Sequence, residues 1–298
     1  MAKRNIFRGL AAVLALGMCM TGLAGCGNEK RADGKTEIEV VSYKPEAVKA
    51  FEKIEKRFNE THDDIHLTIS SPNEAMTILK TRFIREDYPD IIAIGGDINY
   101  SNFLDADLFD DISDLDEVQT IKQAYLDMDK ELEFIPKDGT YALPYVANAA
   151  GILYNKDLFE QAGITEEPKT WDEFKDVCQK LKDAGITPMT MDDAYATCVI
   201  GYHLARLVGE DKVKEIVTEG EWDDPAVLQM AQDIEELASN GYYSEMVGSN
   251  VWPAGQNTEL ALGTAAMYLN GSWLPNEVKE MAGPDFHWGC FAYPALTD

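Results

Sequence analysis

The run Ile91-Ile92-Ala93-Ile94 carries an apolar side chain at every position, which is typical of a central strand in a parallel sheet that is covered on both faces. Strand and helix patterns alternate in the residues before it. The spacing of apolar residues predicts a strand at 38–42, a helix at 47–58, a strand at 65–69 and a helix at 76–83. This β-α-β-α-β order predicts a mostly parallel sheet with right-handed crossovers.

Polar side chains or bare backbone follow each of these three strands. Tyr43 comes directly after the first strand, Glu74 lies in the turn after the second, and Asp97 follows Gly95-Gly96 after the third. Any one of them could simply form a turn. Because ligands of open parallel sheets bind at the carboxyl ends of strands, three such ends together predict a binding surface.

A second α/β block begins after residues 141–145. Its predicted elements are strands at 151–155, 186–189 and 265–269 and helices at 170–184, 194–208, 212–217 and 225–239. Thr170 and Glu173 have the spacing of a capping box, which predicts where the first of these helices begins. The predicted fold class is α/β, with two lobes that each hold a largely parallel sheet flanked by helices. We place lobe I at 37–147, with 293–298 starting a return to it, and lobe II at 148–292.

The amino terminus has the layout of a secretory signal peptide, predicted at 1–25, with a basic start, an apolar core and small residues. A membrane-spanning helix is the alternative, but it needs about 20 predominantly apolar residues, and glycines interrupt this stretch. Leu23-Ala24-Gly25-Cys26 resembles the lipobox of bacterial lipoproteins, in which the cysteine is lipidated. We therefore expect export, a lipid on Cys26 that anchors the protein to the outer face of the cell membrane, and a flexible tether at 26–36.

The charge of the chain restricts its partners. It has 26 Lys and Arg against 53 Asp and Glu, a formal net charge of −27 at pH 7. Such a surface repels nucleic acid and anionic lipid, which excludes nucleic-acid binding and leaves the lipid as the only membrane contact. Cys178, Cys198 and Cys290 remain beyond the lipobox, and this odd number without C-x-x-C spacing favours small buried hydrophobic residues over a disulfide framework.

Motifs for catalysis and metal binding are missing from the sequence. It has no G-x-S-x-G, H-E-x-x-H, P-loop or dinucleotide fingerprint, so we expect no enzyme and no cofactor. The acidic run 105–117 lacks the glycine and the closing glutamate of an EF-hand, and the histidines do not cluster with carboxylates, so we expect no metal site. A carbohydrate-active surface enzyme with a carboxylate pair is one alternative, and a surface receptor or adhesin without cargo is another.

Five stretches recur in the order of a known family. They are Pro89-Asp90-Ile91-Ile92, Tyr141-Ala142-Leu143-Pro144-Tyr145, the run 153–159 (LYNKDLF), the run 168–174 (PKTWDEF) and the run 263–273 (GTAAMYLNGSW). Together they resemble the extracellular solute-binding proteins of bacterial sugar ABC importers, the family of maltose-binding protein. The resemblance implies a two-lobed periplasmic-binding-protein fold that closes on its ligand. It also implies a sugar or oligosaccharide ligand, the transmembrane subunits of an ABC permease as partners, and a monomer.

The resemblance also implies roles for particular residues. In the family, the carboxylate five residues after Pro-Asp-Ile-Ile contacts sugar hydroxyls, and Asp97 matches it. The tryptophan of Gly-Ser-Trp stacks on a sugar ring, and Trp273 matches it. Asn148 lies in the stretch that matches the first crossing between the lobes. Ile94 stands where maltose-binding protein has an aromatic residue, which argues against stacking of a maltodextrin in lobe I.

A pyranose ring presents C–H groups to an aromatic plane and hydroxyls to carboxylates and amides, so a tryptophan at a strand end suits this ligand. A core tryptophan is the alternative for Trp273. The residues after the strand at 186–189 are weaker candidates, and Asp192 could equally cap a helix. The candidate ligand-binding residues are Tyr43, Glu74, Asp97, Asn148, Asp192, Tyr195, Trp252 and Trp273.

The residues from Trp288 to Asp298 match the family's second crossing, which returns to lobe I. The resemblance therefore implies a fold that is incomplete at its C-terminal side. Since an α/β sheet is normally covered on both faces, we expect lobe I to have an uncovered apolar flank. We also expect Asp298 to lie at or near the hinge.

Overall fold

The computed structural model describes residues 33–252 and 254–296. The predicted signal peptide, Cys26, most of the tether and Asp298 lie outside these residues. The chain divides into two compact units, Met1–Pro144 and Tyr145–Asp298, which we call lobe I and lobe II. Within the described residues, no helix combines the length and the apolar character that crossing a membrane requires.

Lobe I contains a sheet of three parallel strands in the order β2-β1-β3. The strands are β1 (Thr36–Ser42), β2 (Ile65–Ser70) and β3 (Ile91–Ala93). The helices are α1 (Val48–Thr61), α2 (Ala75–Ile84), α3 (Ile98–Asp105) and α4 (Gln123–Glu131), with 3-10 turns at Pro45–Ala47 and Asp116–Thr120. Val40 of β1 pairs with Ile69 of β2 and with Ile91 of β3, so the carboxyl ends of all three strands lie at one edge, as predicted.

The core of lobe I is small. Leu79 of α2 and Leu104 of α3 are fully buried, and the ring of Phe83 meets that of Phe103 edge to face at 5.0 Å. The two guanidinium N–H groups of Arg82 each donate to the carboxylate of Glu39 at 2.7 Å. This bidentate pair fastens α2 to the middle strand, since such forks fix geometry as well as charge.

The prediction that the third strand is central is wrong for the described residues, because β3 lies at an edge of the sheet. Ile91 is 51% exposed there, and Ile84 nearby in the sequence is 85% exposed. An apolar run shows that a strand has apolar surroundings, but it does not show how many neighbouring strands it has. These two isoleucines are exposed apolar residues of lobe I, and an uncovered flank stays a prediction.

Lobe II contains a mixed sheet of four strands in the order β5-β6-β4-β7. The strands are β4 (Ala150–Asn155), β5 (Thr187–Met189), β6 (Ala265–Gly271) and β7 (Trp288–Phe291). The helices are α5 (Lys156–Gln161), α6 (Trp171–Asp183), α7 (Ala196–Val208), α8 (Glu210–Glu219), α9 (Pro225–Ser239), α10 (Ala254–Ala261), α11 (Leu274–Glu277) and α12 (Lys279–Ala282).

Strand directions in lobe II correct one expectation. Only β5 and β6 are parallel, whereas β4 runs antiparallel to both β6 and β7. The largely parallel sheet is therefore found in lobe I and not in lobe II. All seven residues of β6 are buried. A strand that is covered on both faces has the same apolar pattern whether it runs parallel or antiparallel to its neighbours. The sequence therefore could not reveal the strand directions in this sheet.

The main core of lobe II lies between its sheet and α6. Ile152 and Met267 contribute from the strands, and Phe174 and Leu181 contribute from the helix, all at most 1% exposed. The predicted capping box at the start of α6 is confirmed, because Thr170 accepts from the N–H of Glu173 and the Glu173 carboxylate accepts from the N–H of Thr170.

The segment after β7 packs within lobe II, although the sequence boundary assigned 293–298 to the return to lobe I. Tyr293 is 6% exposed in the lobe II core, and Ala295 forms an isolated parallel bridge with Thr170. The described part of this segment therefore belongs with lobe II, and a return to lobe I stays a prediction.

The three described cysteines are free thiols. Cys178 is buried, as predicted for a small hydrophobic residue, and Cys198 is partly buried. Cys290 is exposed, against that prediction, because β7 is an edge strand of the sheet.

Candidate ligand-binding site

The lobe I candidates meet over a glycine at the strand ends. A Cβ atom placed on Gly95 would lie 3.1 Å from the Tyr43 hydroxyl oxygen and 3.2 Å from Oδ2 of Asp97. The N–H of Tyr43 donates to the carbonyl of Ala93 at 3.1 Å, which extends the pairing of β1 with β3 by one residue. The structure thus brings a phenol and a carboxylate together beside bare backbone.

Asp97 has two roles in this arrangement. Its Oδ1 accepts from the N–H of Asn99 at 2.8 Å and so caps the N-terminus of α3. The side chain is exposed, and its Oδ2 lies on the side of Gly95 and Tyr43. Asp97 is therefore a helix cap whose second oxygen faces the predicted binding surface.

Glu74 is exposed at the N-terminus of α2, and its side chain does not cap that helix. It follows β2, whereas Asp97 follows β3, and β1 lies between these strands. At about 4.8 Å per strand, the two backbone positions are separated by roughly 10 Å. Glu74 shares the sheet edge with Tyr43 and Asp97 but does not join their cluster.

The lobe II candidates Trp273 and Tyr195 are both partly buried. Burial raises the pKa of Tyr195, and a hydrogen bond with the Trp273 side chain opposes this rise. The indole also lies against Gly271 at the end of β6, where a Cβ atom would be 2.0 Å from Cζ3. Glycine is required there because any side chain would displace the ring.

Asp192 lies beneath this pair and is 1% exposed. Its Oδ1 accepts from the N–H of Tyr195 at 2.7 Å, and its Oδ2 accepts from the hydroxyl of Tyr268 at 2.6 Å. The rings of Tyr195 and Tyr268 meet edge to face at 5.5 Å. Burial, together with the bond to Asp192, raises the pKa of Tyr268. Asp192 therefore positions Tyr195 and is too buried to contact a ligand. Its bond to the N–H of Tyr195 resembles the helix-capping role that was the alternative to ligand binding.

Trp252 and Asn148 occupy other places on lobe II. Trp252 is 40% exposed, and its N–H donates to Oδ1 of Asp193 at 3.3 Å. Asn148 is exposed and accepts from the hydroxyl of Ser272 at 3.4 Å. Asn148 thus contacts the residue that precedes Trp273, while Trp252 adjoins the turn that leads to Tyr195.

A hydrogen-bond network around the partly buried carboxylate of Glu259 holds the turn before Tyr195. Glu259 of α10 accepts from the hydroxyl of Thr190 at 2.5 Å and from the amide of Asn250 at 2.7 Å. It also accepts from the hydroxyl of Ser244. These bonds connect the turn after β5 with the loop that carries Trp252. The polar residues of the network therefore hold this turn and this loop in place.

Sequence reasoning missed Glu277. It ends α11, four residues after Trp273, and its N–H donates to the carbonyl of Trp273 at 3.3 Å. Its Oε2 accepts from the side-chain amide of Asn257 at 3.2 Å. Residues four apart share one face of a helical turn, and this spacing after Gly-Ser-Trp is the signal that could have found it.

Two further features bear on the kind of site. A cavity of about 330 Å³ in lobe I is lined by Tyr100, Asp129 and Tyr141 among others, and none of the candidate residues lines it. Across the described ranges, no group of three or more His, Cys, Asp or Glu residues could hold a metal ion. The candidate site therefore consists of aromatic rings, carboxylates and amides.

The fold is that of the two-lobed solute-binding proteins. Residues 38–298 match the family model of the bacterial extracellular solute-binding protein. The chain belongs to this family, which confirms the resemblance found in the sequence.

Relatives with known names extend the comparison. The chain is 27% identical to the "Multiple sugar-binding protein" of Streptococcus mutans over 94% of this chain and 68% of that protein. It is 28% identical to the "Diacetylchitobiose binding protein NgcE" of Streptomyces coelicolor over 74% of this chain and 49% of that protein. The structure is similar to RafE in complex with raffinose, with a TM-score of 0.72 and 27% identity over 88% of this chain and 68% of that one.

Proposed function

We propose that this chain is the substrate-binding subunit of an ABC importer and that it binds a sugar or oligosaccharide. The proposed sugar contacts are Tyr43 and Asp97 on lobe I, and Trp273 and Tyr195 on lobe II. The protein then delivers the sugar to the transmembrane permease. Names of the relatives support a sugar as cargo, since they bind multiple sugars and diacetylchitobiose, and the similar RafE was solved with raffinose.

The observation that carries this proposal is the packing of the Trp273 indole against Gly271. A Cβ atom on Gly271 would lie 2.0 Å from Cζ3 of this indole, so one side of the ring lies on bare backbone and the ring is held in place as an apolar plane. The C–H face of a pyranose packs on such a plane, while hydroxyls at its edge bind neighbouring polar groups. Tyr43 and Asp97 supply a second set of such polar groups on lobe I.

We also propose that the protein is exported and held at the outer face of the cell membrane by a lipid on Cys26, and that it acts as a monomer. The lipobox sequence supports the anchor, and the extracellular character of the family supports export. Lipid attachment keeps a binding protein near its permease, because two or more acyl chains hold a protein stably on a membrane.

A thermal-shift screen tests the proposal. The sugars are raffinose, stachyose, maltotriose and diacetylchitobiose, each at a series of concentrations. A ligand that binds only the folded state stabilises it by RT ln(1 + [L]/Kd), so at least one sugar should give a rise in melting temperature that grows with its concentration. Release of sugar products during incubation would instead support an enzyme, and no shift with any sugar would support a surface protein without cargo.

A further inference from the structure

The cavity in lobe I is separate from the candidate sugar site, since none of the candidate residues lines it. It has a volume of about 330 Å³ and lies between α3, the 3-10 turn at Asp116–Thr120, α4 and residues 140–142. A cavity of about 150 Å³ is large enough to hold benzene. The cavity in lobe I therefore has room for a small organic molecule.

One part of the cavity wall is aliphatic and aromatic. Val118, Ile121 and Leu126 line it with aliphatic side chains, and Tyr100 and Tyr141 line it with rings. Tyr100 is only 5% exposed, so its ring is held by the surrounding core. This part of the wall suits the apolar body of a ligand.

The other part of the wall is charged, and one of its two carboxylates already has its partners. The side chain of Glu133 is 2% exposed, and its Oε1 lies 2.8 Å from the ammonium of Lys130. Its Oε2 accepts from the N–H of Lys137 at 2.9 Å. The charge of Glu133 is therefore balanced within the protein.

Asp129 is the second carboxylate that lines the cavity, and it lacks a comparable partner. Its Oδ2 is buried and accepts no hydrogen bond from the described residues. Burial, and then the charge of Glu133, raise the pKa of Asp129. Because buried polar groups in folded proteins are almost always paired, this carboxylate calls for a donor that the described chain does not supply.

The chemistry of the wall favours an ammonium group over a metal ion as this donor. No group of three or more His, Cys, Asp or Glu residues in the described ranges could hold a metal. An alkylammonium carries one positive charge and up to three N–H donors, which matches a single unbalanced carboxylate. Rings such as those of Tyr100 and Tyr141 also attract cations.

We infer that this cavity is a second ligand site of the protein and that it binds a small primary amine. The ammonium group of the ligand donates to the carboxylate of Asp129. The apolar body of the ligand packs against Tyr100 and the aliphatic part of the wall.

Calorimetric titration of the full chain with primary amines, in the absence of sugar, tests this site. The probes are butylamine, cyclohexylamine and 2-phenylethylamine, and each is compared with the alcohol of the same carbon skeleton. At pH 7 the amines are cations, whereas the alcohols are neutral. At least one amine should bind with a Kd at least tenfold lower than that of its alcohol.

Variants of Asp129 test the role of its carboxylate with the amine that binds most tightly. Asp129→Asn keeps the size of the side chain but removes its charge, and Asp129→Ala removes the whole carboxylate. Both should raise the Kd of the amine at least tenfold. Asp127→Asn is the matched control, because Asp127 lies on the same helix, is exposed and accepts from Gln123 at 2.8 Å. It does not line the cavity and should leave the Kd unaltered.

Thermal melts without ligand give a second measurement. Asp129→Asn should melt no lower than the wild-type chain, because it removes a charge that is partly buried and unbalanced. The same melts check that each variant is folded.

A loss of amine binding that is confined to the Asp129 variants supports the inference. Equal weakening by Asp127→Asn would instead show a general attraction of cations to the −27 chain and would overturn it. Equal binding of amine and alcohol, or no saturable binding of any of the three amines, would overturn it as well. Since no sugar is present, each of these outcomes leaves the proposed function intact, which the sugar screen tests separately.

Discussion

The hydroxyl of Tyr268 donates to the carboxylate of Asp192 at 2.6 Å, and both residues are at most 1% exposed. The other oxygen of this carboxylate accepts from the N–H of Tyr195. Asp192 thus connects the central strand β6 with the turn that opens α7. The position of Tyr195, a proposed sugar contact, thus depends on a carboxylate held in the core.

Asp192→Ala should therefore destabilise the protein. It leaves the buried Tyr268 hydroxyl and the Tyr195 N–H without their acceptor, which costs about 2–3 kcal/mol in the free energy of unfolding. Asp193→Ala is the matched control, because Asp193 is exposed and accepts from the backbone N–H groups of Ala194 and Trp252, both in exposed bonds, and it should cost less than about 1 kcal/mol. Urea denaturation measures both. Equal losses for the two variants would show that the Tyr268 bond is not what matters.

Replacing each of two glycines in lobe II with alanine should change the stability of the protein in opposite directions. A methyl group on Gly271 would lie 2.0 Å from the Trp273 ring, so Gly271→Ala should displace the indole, destabilise the fold and weaken sugar binding. Gly201 lies inside α7 with nothing within 4 Å of an added Cβ. Gly201→Ala should stabilise the protein by about 0.5–1 kcal/mol, since alanine favours the helix. The melting temperatures of the two variants measure these changes. A higher melting temperature for Gly271→Ala would refute the packing of Trp273 on this glycine.

Stability should fall in mild acid because of His203. This side chain is fully buried, its ring nitrogens lie 2.9 Å from Oδ2 of Asp233 and 3.1 Å from the Tyr293 hydroxyl, and burial lowers its pKa from 6.5 against the opposing effect of Asp233. Since the unfolded chain takes up the proton more readily than the folded one, the unfolding free energy is unaffected by His203 above pH 6.5. It should drop as the pH falls below that value.

Urea denaturation between pH 7.5 and 5 measures this effect as the slope of the unfolding free energy against pH, compared between the wild-type chain and a variant without His203. His203→Gln should reduce the pH dependence of the wild-type chain. If the variant keeps the wild-type slope, His203 does not titrate differently in the folded and unfolded chains.

The proposed anchor can be tested in cells. Cys26→Ser removes the thiol that would carry the lipid, so the variant should leave the membrane pellet and appear in the soluble extracellular fraction. Ser272→Ala, far from the lipobox in sequence, serves as a control that should stay with the membranes. Pelleting of the Cys26→Ser variant with membranes would contradict the lipobox.

Local patterns predicted the fold of lobe I better than that of lobe II. The β-α-β-α-β order and the common strand ends followed from apolar spacing, and these ends placed Tyr43 and Asp97 correctly at one edge. The sequence could not predict the edge position of β3 or the antiparallel direction of β4, because the pattern of a fully apolar strand does not depend on its neighbours or its direction. The capping box at Thr170 was predictable because all of its groups lie within four residues.

The site was harder to predict where contacts join distant segments. Trp273 was found from its motif, but its bond to Tyr195 joins residues 78 positions apart. The burial of Asp192 depends on Tyr268, which is 76 positions away. A carboxylate after a strand is equally suited to a ligand or to the core, and only the packing decides which. Glu277 was missed because it belongs to no motif. The Gly-Ser-Trp motif ends at Trp273, four residues before it.

The most direct test of the account is calorimetric titration of Trp273→Ala with the sugar that the wild-type chain binds. Loss of the stacked face should raise the Kd at least tenfold, or about 1.5 kcal/mol, the value of burying a large apolar side chain. Trp222→Ala removes an exposed tryptophan of lobe II that is not among the candidates, and it should leave the Kd unaltered. An unchanged Kd in folded Trp273→Ala would place this tryptophan outside the binding site and contradict the account.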